Sequence, residues 1–100
     1  MFETRPTAKE FYDWHVSRRN SGPKYARHIA PALKLKDGSI ISVQASSIHY
    51  CFPREDNPQD PYAKYEVWDF DKAEEPYGWM SVEDVIDMIM ERGGIASAGK

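Results

Sequence analysis

Leu33-Lys34-Leu35-Lys36-Asp37-Gly38-Ser39-Ile40-Ile41-Ser42-Val43-Gln44-Ala45 (33–45) is the stretch whose reading decides the fold. Leu33 to Lys36 alternates apolar and polar residues, Asp37-Gly38 is a turn signal, and Ser39 to Ala45 alternates again with Ile41, Val43 and Ala45 on one face. A two-residue loop at Asp37-Gly38 would pair Leu35 with Ile40 and Leu33 with Ser42, which sets the leucines opposite the Ile41/Val43 face. A three-residue loop shifts the pairing by one and brings Leu33, Leu35, Ile41 and Val43 to the same face. Because a one-residue slip inverts every side chain, only the second arrangement buries one coherent apolar set. The sequence therefore predicts a type I turn closed by Gly38 in a left-handed bulge conformation.

Outward from this hairpin, the chain predicts two helices and a third strand. Thr7 with Glu10 three residues later makes a capping box, and Phe11, Trp14, His15 and Arg18 follow at helical spacing, giving a helix over 7–19 that Ser21-Gly22-Pro23 stops. Arg18 and Arg19 suit its C-terminal end. A strand over Tyr62–Phe70 puts Ala63, Tyr65 and Val67 on one face and Tyr62, Lys64, Glu66, Trp68 and Phe70 on the other. Between the strands, 53–61 is polar and carries three prolines, and is expected to be the most mobile segment. Ser81 caps a helix over 81–92, in which Val82, Val85, Ile86 and Ile89 form the apolar stripe and Gly93-Gly94 the stop. Residues 96–100 are expected to fray, and 71–78 to be an acidic loop. The fold class is α+β: one small domain with a three-stranded antiparallel sheet over 33–70, an N-terminal and a C-terminal helix.

Composition bounds the function. The 100-residue chain is 41% hydrophobic and 13% aromatic, with no apolar run long enough to span a bilayer and one cysteine, so no internal disulfide is expected. Met1 to Pro6 carries no apolar signal segment, which makes a cytoplasmic location the expectation. The net charge of -3 is unevenly spread: residues 1–50 hold eight basic and four acidic side chains, residues 51–100 five and twelve. Glu66, Asp69, Asp71, Glu74 and Glu75 gather around the third strand, and Glu83, Asp84, Asp87 and Glu91 on the last helix. A run of charge is commonly just a solvated surface. Beside Trp68, Tyr77 and Trp79 it also makes a docking face for a basic partner surface, because complementary fields speed association and aromatics supply contact area at small entropy cost. The opposite reading, direct nucleic-acid binding by Arg18, Arg19, Lys24, Arg27, Lys34 and Lys36 with Tyr25 and His28, is weakened by the acidic total and by the lack of a recognisable motif.

For chemistry, His49 and Cys51 with Arg54 are the candidate catalytic or ligand-binding group. An i, i+2 pair on a strand points the same way but specifies no attack geometry, and a lone cysteine is more commonly a small buried hydrophobe. His15, His28 and His49 are too scattered for a zinc site, and no calcium-loop or phosphate-loop pattern occurs, so no metal or cofactor is expected.

The string from Leu35 to Arg54, then Tyr62 to Trp68, then Tyr77 to Ile86 and on to Gly93-Gly94-Ile95, resembles a family of small phage and prophage proteins. The resemblance covers 33–95, and the helix over 7–19 lies outside it. The family has no established activity or catalytic residue, so it carries no site over. Small acidic phage proteins of this size include many anti-CRISPR proteins, which bind a host effector complex and block it. By that analogy of size and charge, the resemblance implies a non-enzymatic inhibitor of a bacterial defence complex, with a CRISPR-Cas component as partner and Glu66, Trp68, Asp69, Asp71, Glu74, Glu75, Tyr77 and Trp79 as its contact residues. The alternatives are a small enzyme or ligand-binding module built on His49 and Cys51, and a homo-oligomeric structural or regulatory phage protein, for which a homodimer is one form.

Overall fold

The hairpin register set by Gly38 organises a five-stranded antiparallel sheet. In the computed structural model, which describes residues 2–19 and 28–97, Leu33 pairs with Ile41 and Lys34 with Ile40. Gly38 sits at φ +94 and its N–H donates to the Leu35 carbonyl, so the three-residue loop with a left-handed glycine forms as the apolar pattern requires. The strands are β1 (Leu33–Leu35), β2 (Ile40–Gln44), β3 (Lys64–Asp69), β4 (Tyr77–Ser81) and β5 (Ile95–Ser97), in the spatial order β4-β3-β2-β1-β5. The two helices are α1 (Ala8–Arg18) and α2 (Val82–Glu91). Ser21-Gly22-Pro23, the basic-set residues Lys24, Tyr25 and Arg27, and 98–100 of the tail lie outside the described residues.

The α+β class and both helices stand, and the strand count is corrected from three to five. The expected acidic loop 71–78 gives way at Tyr77 to β4, which pairs with β3. The part of the expected frayed tail that is described, Ala96 and Ser97, belongs to β5. There Leu35 pairs with Ile95 and Lys34 with Ser97, so Ile95 adds to the sheet. The cause is the ladder: β1 would otherwise leave one edge of backbone groups unpaired, and the turn after α2 carries the chain to it. Gly93 and Gly94, at φ +93 and +95, close that turn, with Gly94 N–H on the Ile89 carbonyl.

Both helices pack on one side of the sheet. Phe11 and His15 of α1 and Val82, Val85, Ile86 and Ile89 of α2 are buried, and the apolar members join Leu33, Leu35, Ile41, Val43, Tyr65 and Val67 in a single core. Thr7 and Glu10 make the reciprocal capping box, and Ser81 accepts from the Asp84 N–H. At the N-terminus Arg5 pairs with Glu83 and Asp87, lashing the entry segment to α2. The proline-bearing segment 53–61, expected to be mobile, is tied down: Tyr12 OH donates to the Pro58 carbonyl, Tyr62 OH to the carbonyls of Glu55 and Asp56, and Arg19 to Asn57. The Phe52–Pro53 peptide is cis. Among the described residues no helix is long and apolar enough to cross a membrane.

Candidate functional site

Strand alternation sends one set of β3 side chains into the core and leaves the other on the side without helices. Tyr65, Val67 and Asp69 are buried, whereas Lys64 and Trp68 are exposed and Glu66 is half-buried. The uncovered face gathers large apolar groups. Trp68 and Phe70 lie with ring centroids 5.0 Å apart, and Tyr50 stacks on Trp79 at 4.9 Å and 29°. The Arg54 guanidinium sits 5.2 Å over the Tyr50 ring, a cation–π contact that extends the stack by one layer. Two hydrogen bonds fix the stack to the sheet. Tyr50 N–H donates to Glu66 Oε1 at 2.9 Å, and Trp79 N–H donates to the Tyr50 carbonyl at 2.9 Å. Gly78 permits this approach, since a Cβ there would come within 3.0 Å of Tyr50 Cβ.

Trp79 is held in an unusual conformation. The register of β3 on β4 slips between Tyr65 and Val67, so that Glu66 faces both Gly78 and Trp79, and Trp79 takes φ +56. A bulky residue in the left-handed region stores strain, of order 1–3 kcal/mol, and such strain clusters at binding sites. The strained residue also leaves its indole 52% exposed. This yields an expectation: Trp79→Gly is more stable than Trp79→Ala by about 1 kcal/mol, because glycine alone adopts positive φ without a Cβ penalty. Urea denaturation of the two variants measures the difference, and equal midpoints would mean that position 79 is not left-handed.

The anticipated contact residues separate into four groups. Trp68, Trp79 and Glu66 share the uncovered face. Glu66 serves as an anchor for Tyr50. Asp71, Glu74 and Glu75 lie in the turn after β3 and are exposed. That turn borders Trp68, whose Nε1–H donates to the Ala73 carbonyl at 3.2 Å, and Asp71 Oδ2 accepts from the Ile40 N–H. Tyr77 is exposed but pairs with Val67, so its position in the register belongs to the helix-bearing side, at the sheet edge.

Asp69 is a correction. It is 3% exposed, paired with Ile41 in register, and its Oδ2 lies 2.6 Å from Arg92 Nη2. Arg92 also donates to Ser39 Oγ, and the carboxylate of Asp69 holds its guanidinium pKa above the ordinary value. Asp69 therefore joins β3 to the end of α2 and has no surface to offer a partner. The sequence groups Tyr50 and Phe52 with Trp68, Tyr77 and Trp79 as aromatics and sets Arg54 with His49 and Cys51, but nothing local shows that the 46–52 segment folds back against β4 and so stacks Arg54 on Tyr50 and Tyr50 on Trp79.

His49 and Cys51 do not act on each other. His49 Nδ1 shares a 2.6 Å hydrogen bond with Ser46 Oγ, while the buried Cys51 thiol donates to the Ser46 carbonyl at 3.2 Å. Burial pushes the thiol pKa up, which keeps it protonated and a poor nucleophile. Among the described residues no group of three His, Cys, Asp or Glu side chains is placed to hold a metal ion. The chain matches no protein-family model, and no curated protein or solved structure matches it.

Proposed function

We propose that the chain is a non-catalytic binding module that docks its uncovered sheet face on a partner protein. The partner to test first is an effector of a bacterial defence complex, which the module would block by occlusion. The observation that carries the reading is the Arg54–Tyr50–Trp79 stack: an exposed left-handed tryptophan whose N–H donates to the Tyr50 carbonyl, with the Tyr50 N–H in turn donating to Glu66 Oε1. Rigid, exposed aromatics and arginine are the groups that dominate binding energy at protein interfaces. Trp68 and Phe70 widen the patch, and five half-exposed rings (Tyr50, Phe52, Trp68, Phe70 and Trp79) offer about 500 Å² toward the ~800 Å² per partner of a standard interface. The exposed acids Asp71, Glu74 and Glu75 border the patch and favour a basic partner surface. The choice of a defence effector rests on the likeness to small phage proteins, and that choice and the docking face are tested separately.

Expression in strains with and without a given CRISPR-Cas system, challenged by a targeted phage, tests the partner class: phage growth restored only where the system is present supports it. Calorimetric titration of the purified effector then tests the face. Trp79→Ala and Trp68→Ala are expected to weaken binding about 30-fold each, the loss typical of an interface hot spot, with unchanged circular dichroism. Full affinity in both variants would remove the face from the mechanism.

A further inference from the structure

Of four buried side-chain atoms that make no hydrogen bond among the described residues, three lie in one neighbourhood, His15 Nε2, Arg19 Nε and Tyr65 OH, and the fourth is Asp69 Oδ1. The residues close a circuit of contacts. The rings of His15 and Tyr65 meet edge-on at 5.3 Å, and those of Tyr65 and Tyr62 at 5.5 Å. Tyr62 OH accepts from Arg19 Nη1 at 3.2 Å, and Arg19 follows His15 by four residues, one turn on. The same guanidinium donates to the Ala45 carbonyl and to Asn57 Oδ1, while its buried Nε–H has no partner among the described residues.

A buried polar group without a partner is expensive, and proteins commonly satisfy such groups with an internal water that makes about three hydrogen bonds. The three atoms suit one water. Arg19 Nε–H can only donate, the Tyr65 hydroxyl donates or accepts, and the neutral His15 ring accepts or donates at Nε2 according to its tautomer. An anion would find only one charge here, because burial and the neighbouring arginines keep His15 neutral.

We propose that His15, Arg19 and Tyr65 form a buried hydration site that holds one ordered water molecule. The water joins the end of α1 to β3, beside the Arg19 contacts that tie down the 45–62 segment carrying Tyr50 and Arg54. The site is independent of the docking face.

Tyr65→Phe tests it by the sign of the response. If the hydroxyl bonds the water, its loss lowers the folded-to-unfolded ratio about 3- to 10-fold in urea denaturation. If the hydroxyl has no partner, deleting a buried polar atom leaves the ratio unchanged or raises it, and the proposal fails. A crystal structure of the unaltered protein at atomic resolution gives a second reading that needs no variant to fold. A solvent peak about 2.6–3.2 Å from at least two of the three atoms supports the site. No peak there, or the three atoms turned to protein partners, overturns it.

Discussion

Lowering the pH below 6.5 destabilises the protein by up to about 1.4 kcal/mol per pH unit, and His15→Phe abolishes most of that slope. His15 is 1% exposed, between Phe11 and Tyr65. Burial disfavours the charged ring, and the positive charges of Arg19, Arg18 and His49 add to the effect, pushing its pKa down to about 3 from 6.5. Between these two values the unfolded chain binds a proton that the native protein refuses, so acid favours unfolding. The stability is present in full above pH 6.5 and is lost as the pH falls toward 3, where both states are protonated. Half-buried His49, also shifted down by burial, adds to the loss in the same direction. Asp37 and Asp56, held below the usual carboxylate range by hydrogen bonds from Ser39 and Ser47, contribute only below about pH 4. The window from 6.5 to about 4.5 therefore isolates the histidines, with an expected loss of about 2–3 kcal/mol across it. Urea titrations at several pH values, on the unaltered chain and on His15→Phe, measure the two slopes. A flat profile in the former, or equal slopes in both, would show that His15 is not the buried neutral group described here.

How much of this was legible follows from which interactions are local. The capping box at Thr7 and the α2 stripe are read within one or two helical turns, and both form as read. The hairpin register follows from the sequence because the alternative loop would have buried Lys34 and exposed Leu33 and Leu35. β4 and β5 escaped for physical reasons. Tyr77–Ser81 contains a glycine and a bulge and buries no residue fully, so no alternation marks it. Ile95–Ser97 is three residues long, too short for a period, and exists because β1 offers an edge. The Tyr50–Trp79 stack and the His15–Arg19–Tyr65 circuit each join segments far apart in the chain, which no local pattern encodes. Asp69 is different: the same alternation that buries Tyr65 and Val67 places it inward, and its charge drew attention away from its register.

That register makes Asp69→Ala the substitution expected to cost most, about 2–3 kcal/mol of stability. Removing one member of a buried ion pair strands the other, a loss of about 3–5 kcal/mol where both are dry. Arg92 keeps 15% of its side chain exposed and can recruit water, which moderates the figure. The damage spreads beyond the pair. Arg92 caps α2, donates to Ser39 Oγ beside the hairpin tip, and accepts the Asp37 N–H on its carbonyl, so one guanidinium joins β3, the β1–β2 turn and the end of α2. Replacing both partners by apolar groups, Asp69→Leu with Arg92→Met, leaves no stranded charge and is expected to recover much of the loss. The comparison also separates fold from function. If Asp69 is structural, denaturant midpoints fall in the single variant and rise again in the double, while partner affinity measured on folded protein stays within about twofold, since a residue outside an interface contributes little to it. Unchanged stability with lost affinity would return Asp69 to the docking face and remove the buried pair from the account of the fold.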